Sequence, residues 1–165
     1  MPSVLVIYHS CTGRTELMAK QISDAIRAEG LDVICKKVEE ADPDDMLQAD
    51  GVVIGSPTYY GTMSAEMKRF LDESIKHHGS LDGKAGAAFA SSGSTGHETT
   101  LLSILEALLI HGMIVQGDSG GPHYGVTYVG EQQDRLPQNC KRFGQRFASL
   151  VKRTCASSPA ETSSD

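Results

Sequence analysis

The segment Ser10-Cys11-Thr12-Gly13-Arg14-Thr15-Glu16, coming directly after the apolar run Val4-Leu5-Val6-Ile7-Tyr8, decides how the rest of the chain is read. A short, continuous apolar run is what a strand covered on both faces requires. From Thr15 to about Glu29 the apolar residues Met18, Ile22, Ala25 and Ile26 recur at helical spacing, and Gly30 follows as a stop. The polar segment is therefore a strand-to-helix turn. Successive backbone N–H groups in such a turn point into one concavity, and the helix start adds partial positive charge, so the turn favours a phosphate. Ser10, Thr12 and Thr15 supply hydroxyls, and Gly13 allows close approach of the backbone to an anion.

Working outward, the same alternation continues along the chain. Leu31 to Val38 reads as a second, more exposed strand, and Ala41-Asp42-Pro43-Asp44-Asp45 leads into a short helix ending near Ala49. Gly51-Val52-Val53-Ile54-Gly55 is a third strand, and Met67, Phe70, Leu71 and Ile75 mark a helix. Lys84 to Ser91 is an Ala-rich fourth strand. Leu101, Ile104, Leu105 and Leu108 mark the next helix, which stops at His111-Gly112. Met113-Ile114-Val115 is a fifth strand, a Gly-rich loop runs through Gly130, and Cys140, Phe143, Phe147, Leu150 and Val151 share one face of a last helix. Five strands alternating with helices imply an α/β fold with a parallel sheet covered on both faces. One domain over 1–153 is expected, with a disordered Ser-rich tail over 154–165 that has almost nothing to bury.

Composition sets outer limits. The 165 residues carry 15 Lys and Arg against 21 Asp and Glu, a net charge of −6 that disfavours nucleic acid or an anionic membrane as a partner. No apolar run approaches the roughly 20 residues that span a bilayer. The start, Met1-Pro2-Ser3, lacks a basic region ahead of the first strand, so a cytoplasmic location is expected. The cysteines, Cys11, Cys35, Cys140 and Cys155, form no C-x-x-C pair and match no zinc spacing, so they read as free thiols and no metal site is expected.

In an open parallel sheet, ligands bind beyond the carboxyl ends of the strands. Two further segments lie there. Ser56-Pro57-Thr58-Tyr59-Tyr60-Gly61-Thr62-Met63-Ser64 carries two adjacent aromatics able to stack on a flat ring, and Ser64 begins the helix that follows. Ser91-Ser92-Gly93-Ser94-Thr95-Gly96-His97-Glu98 is too polar and Gly-rich for a core connection. Each segment has a plainer reading: a turn that caps its helix, surface tyrosines, an ordinary Ser/Gly loop. Their joint position after strands one, three and four carries the argument.

The first loop is no nucleotide-triphosphate loop, because G-x-x-x-x-G-K-[ST] and its lysine are missing. A terminal phosphate monoester suits it better. A cysteine phosphatase needs a thiolate inside the loop and an arginine clamping the phosphoryl oxygens. That family's signature separates the two more widely than Thr12 and Gly13 separate Cys11 from Arg14.

Taken together the three segments resemble the flavodoxin superfamily, most closely the WrbA-type NAD(P)H:quinone oxidoreductases, over nearly the whole chain through Arg153. The second loop and its helix, Ser56 through Asp72, the third loop, Ser92 through Glu98, and His111-Gly112-Met113 are similar to that family's corresponding parts. The resemblance implies a five-stranded parallel sheet in order 2-1-3-4-5 that binds flavin mononucleotide (FMN). Ser10, Cys11, Thr12, Gly13, Arg14 and Thr15 would hold its phosphate. Pro57, Thr58, Tyr59, Tyr60 and Gly61 would hold the ring, and Ser91, Ser92, Gly93, Ser94, Thr95 and Gly96 its polar edge. No side chain is expected to be catalytic in its own right, since the flavin carries the chemistry.

Two departures stand out. WrbA-type chains carry extra sequence after the fourth strand that helps build a tetramer, and this chain is short for it, so a dimer or a monomer is expected. Ile110 stands before His111 where that family has a second histidine. Two functions follow from the resemblance: an oxidoreductase passing electrons from NAD(P)H to a quinone-like acceptor, or a flavodoxin carrying electrons between redox proteins. The chain has no Trp and its third loop no aromatic, which leaves one flavin face open and favours the enzyme. A related phosphate ligand in place of FMN, or none, is the third reading.

Overall fold

The computed structural model describes residues 1–131 and 134–157. Strand β1 (Ser3–Tyr8), β3 (Gly51–Pro57) and β4 (Ala85–Ser92) form the middle of the sheet and are buried on both faces. This explains why their apolar runs are continuous rather than alternating. At the edge, β2 (Asp32–Lys37) alternates between exposed and half-buried residues. All pairings are parallel, and the order β2-β1-β3-β4-β5 is the expected one.

The fifth position differs from expectation in one respect. Strand β5 is only Ile114–Val115 and pairs with Ala85–Gly86 at the start of β4. A further strand, β6 (Thr127–Val129), pairs with Ala90–Ser92 at its end. The Gly-rich loop expected through Gly130 thus contains a strand that returns to complete the same edge. The signal was present: Val126-Thr127-Tyr128-Val129, β-branched and aromatic, lies between Gly125 and Gly130. The excursion between the two halves is clasped to the last helix, where Arg142 donates to both Asp118 oxygens at 2.6 and 2.7 Å. That contact holds the Asp118 carboxyl well below the usual carboxylate range.

Helices α1 (Arg14–Ala28) and α5 (Leu136–Ser157) cover one face of the sheet; α2 (Asp45–Gln48), α3 (Ala65–Glu73) and α4 (His97–Ile110) cover the other. Alternate strand residues divide between the layers, as the two-residue period demands: Leu5, Ile7, Val52 and Ile54 face one core, Val4, Val6, Val53 and Phe89 the other. The helix pair α1 and α5 packs closely because of Gly144, where a Cβ would stand 2.5 Å from that of Ala25. Thr154–Ser157, expected in the disordered tail, instead continue α5; the rest of that expected tail, 158–165, lies outside the described residues. No helix of the described residues is long and apolar enough to cross a membrane.

Candidate functional site

Because β1, β3, β4 and β6 run in one direction, their carboxyl ends and the loops that follow share one rim of the sheet. The first loop turns through Gly13, which stands at the N-cap of α1 at φ 91° and itself offers no side chain to the helix N–H groups. Ser10 Oγ accepts from the N–H groups of Gly13 (3.1 Å) and Glu16 (3.3 Å), and so holds the loop in shape. The N–H groups of Cys11, Thr12, Arg14 and Thr15 have no protein partner among the described residues. Four unspent donors at the start of a fifteen-residue helix form the cradle an FMN phosphate requires. The residues present fit the group.

The side chains of this loop divide. Thr12 is exposed, but Thr15 is buried, and its hydroxyl lies 2.9 Å from Ser91 Oγ. Thr15 therefore ties the first loop to the third. The Arg14 guanidinium lies 5.5 Å over the Tyr128 ring, a cation–π contact. Tyr128, on β6, was not recognised as part of this rim from the sequence because β6 was not.

The second loop is a tight hairpin. Tyr59 and Thr62 exchange backbone hydrogen bonds at 3.0 and 3.2 Å around Tyr60 (φ 49°) and Gly61 (φ 76°). Positive φ at both central residues is the type I′ geometry. Tyr60 is the one non-glycine residue with positive φ among the described residues, at a cost of roughly 1–2 kcal/mol. Its ring is fully exposed at the apex, and Tyr59 is partly exposed beside it. Tyr59 donates its hydroxyl hydrogen bond to Cys11 Sγ at 3.2 Å, which pushes the phenol up to about 12.

The third loop ends at Gly96, which caps α4 at φ 81°, again without a side-chain cap. A Cβ on Gly96 would lie 3.0 Å from the Gly61 Cα, so glycine here lets the second and third loops touch backbone to backbone. Thr58 N–H donates to the Ser91 carbonyl at 2.7 Å, and Thr100 Oγ1 donates to Thr58 Oγ1 at 3.0 Å. Ser92 Oγ lies 3.3 Å from His97 Nδ1, while Gly93, Ser94 and Thr95 are exposed. Pro57, half-buried, ends β3 and pairs in register with Ser91. All three loops are thus bonded to one another.

One rim residue carried no sequence signal as a site residue. His9, 6% exposed, has Nε2 3.8 Å from Cys11 Sγ and 3.5 Å from Glu39 Oε1, and Nδ1 3.5 Å from Glu66 Oε2. A single histidine at a strand end is indistinguishable from a core residue until Glu39 and Glu66, distant in sequence, are placed beside it. His123 lies elsewhere, its Nδ1 2.8 Å from the Asp118 carbonyl in the clasped excursion. Buried His111 sits 2.8 Å from Ser74 Oγ at the end of α4, whereas the rim lies at its start.

Residues 2–121 match the family model described as NADPH-dependent FMN reductase. The chain belongs to that family. A flavodoxin of Aquifex aeolicus is 41% identical to this FMN reductase family member over 92% of the chain and 88% of the relative. An NAD(P)H dehydrogenase (quinone) of Archaeoglobus fulgidus is 32% identical over 94% of the chain and 100% of the relative. Among solved structures, a flavodoxin from the domain Archaea superposes with a TM-score of 0.79 at 30% identity, covering 91% of this chain and 99% of the other. The flavodoxin-like fold, the FMN cofactor and the oxidoreductase class expected from the three loops are borne out.

Proposed function

We propose that this chain is an FMN-dependent oxidoreductase that passes electrons from NAD(P)H to a quinone-class acceptor. Bound FMN supplies the electron-accepting and electron-donating centre. The chain's residues bind and orient it: the open amides of Cys11, Thr12, Arg14 and Thr15 for the phosphate, the Tyr59–Tyr60 hairpin for one ring face, and the Ser91–Gly96 loop for the polar edge.

The observation that carries the enzymatic reading is the asymmetry of the rim. The second loop holds an exposed tyrosine in a strained conformation, while the third presents only Ser, Thr and Gly between Ser91 and Gly96. With the exposed aromatics of the three loops confined to the second and the Tyr128 ring covered by Arg14, the third-loop side is left open for a nicotinamide or a quinone to stack. The 41% identity to a flavodoxin supports the second reading, an electron carrier docking to redox proteins.

The cytoplasm is the proposed compartment, in keeping with four free cysteines. A dimer or monomer is proposed over a tetramer. The match to the Archaeoglobus relative runs over 191 positions against 165 residues here, so that relative carries at least 26 positions that this chain lacks.

Anaerobic stopped-flow mixing of the FMN-loaded chain with NADH or NADPH decides between the readings. Fast, saturable bleaching of the flavin absorbance is expected for the enzyme. Stable FMN binding with no reduction by either nucleotide overturns it in favour of the carrier.

A further inference from the structure

We propose that Cys11 is a thiol-exchange site whose mixed disulfide with a low-molecular-weight disulfide fills the phosphate cradle and excludes FMN. The inference rests on the FMN reading of the cradle and adds a covalent control to it. Its basis is the cluster that the fold assembles around this sulfur.

Cys11 is exposed, in the middle of the first loop, and its own N–H is one of the four open donors. Its Sγ accepts the Tyr59 hydroxyl hydrogen bond at 3.2 Å and lies 3.8 Å from His9 Nε2. His9 in turn is buried between two carboxylates, Glu39 from the turn after β2 and Glu66 from α3, each 3.5 Å from a ring nitrogen. At 3.5 Å from Glu66 the Nδ1 atom makes no hydrogen bond and is left without a hydrogen-bond partner in a buried position. A nucleophile beside a base, with that base flanked by a third group, is the general arrangement of an activated thiol. His9 Nε2 is the ring nitrogen placed to take the proton of the sulfur, 3.8 Å away. Tyr59, held as a donor by its raised pKa, supports the negative sulfur from the other side.

The exchange balances without any further reagent. The Cys11 proton passes to His9. The thiolate attacks one sulfur of the disulfide, that S–S bond breaks, and a new S–S bond to Cys11 forms. Cys11 is oxidised, and the departing thiolate is reduced and takes up a proton. The added group then stands among the amides of Cys11, Thr12, Arg14 and Thr15, where a phosphate cannot also fit. Mutual exclusion makes the effect reciprocal: bound FMN shields Cys11. The other thiols offer no such setting. Burial pushes the Cys140 thiol up to about 12, and burial also raises Cys35 and Cys155.

The test treats the full chain, with and without FMN, with glutathione disulfide and follows intact mass and flavin-fluorescence quenching. The flavin-free chain should gain a single glutathionyl group, bind FMN at least about 30-fold more weakly, and recover with dithiothreitol. Saturating FMN should slow the modification about 10-fold or more. His9→Asn and His9→Gln should slow iodoacetamide alkylation of Cys11 about 10-fold at pH 7 and move its rise to higher pH, as loss of a neighbouring base does. Circular dichroism verifies that each variant is folded. An adduct that also forms on Cys11→Ser, an adduct on Cys11 that leaves FMN binding unchanged, or pH profiles unaffected in both His9 variants would overturn the proposal. FMN titration of the untreated chain tests the cofactor reading separately.

Discussion

At the start of β4, Lys84 Nζ donates to the carbonyls of Leu47 and Ala49 at 2.7 Å each and approaches that of Met46 at 3.4 Å. Nearby, Asp50 accepts from the Ser3 N–H at 2.8 Å. At the other end of the sheet, α1 and α4 begin on glycines, Ser10 accepts only the Gly13 and Glu16 N–H groups, and four N–H groups of the first loop stay open among the described residues. That openness does not follow from lying at the rim. Helix α3 also starts there, and its Ser64 accepts the Met67 N–H in the ordinary way. Polar groups at the closed end are spent on the fold, whereas N–H groups at the open end are left without a protein partner among the described residues.

The largest test of this contrast is Gly13→Val. A β-branched residue at φ 91° is a strong outlier and would turn the cradle's amides away. FMN should bind about 100-fold more weakly by calorimetric titration, a loss of about 2.7 kcal/mol. Unchanged affinity would mean that these amides do not hold the phosphate.

Lys84→Met sharpens the other side. Stranding the carbonyls at the end of α2 should cost about 2 kcal/mol of stability in urea titrations, with FMN affinity unaltered. A weakened FMN complex with intact stability would reverse the assignment of the two ends.

The smallest effect is a pH slope at the closed end. His111 is held below its ordinary pKa by burial first, and then by His78 and His77. The unfolded chain therefore binds more protons than the folded one as pH falls below about 6.5, and stability declines there. The decline ends once the folded state protonates as well. His111→Gln should flatten this part of the curve of unfolding free energy against pH, and an identical slope in the variant would remove His111 as its source.

Much of the molecule was legible in the residue string. The continuous runs at Val4–Tyr8 and Gly51–Ile54 name buried parallel strands, since only a strand covered on both faces lacks a polar alternation. The polar loops after strands one, three and four locate the rim, because parallel strands put their carboxyl ends together. Ser64 was readable as a helix cap, being a local matter of one side chain and the N–H three residues on. Strand β6 was overlooked because three residues leave little periodicity, and pairing with the distant Ala90–Ser92 is what makes them a strand.

The sequence by itself determined the α/β class, the strand order through its resemblance, and the three loops, since each rests on patterns a few residues long. Only the tertiary structure decided how those loops are wired. Thr15 turned inward to Ser91, Arg14 lay over Tyr128, and Cys11 came to rest between His9 and Tyr59. The physical reason is separation along the chain. Ser91 stands 76 residues from Thr15 and Tyr59 stands 48 from Cys11, so no local pattern encodes these contacts and only the packed sheet brings them together.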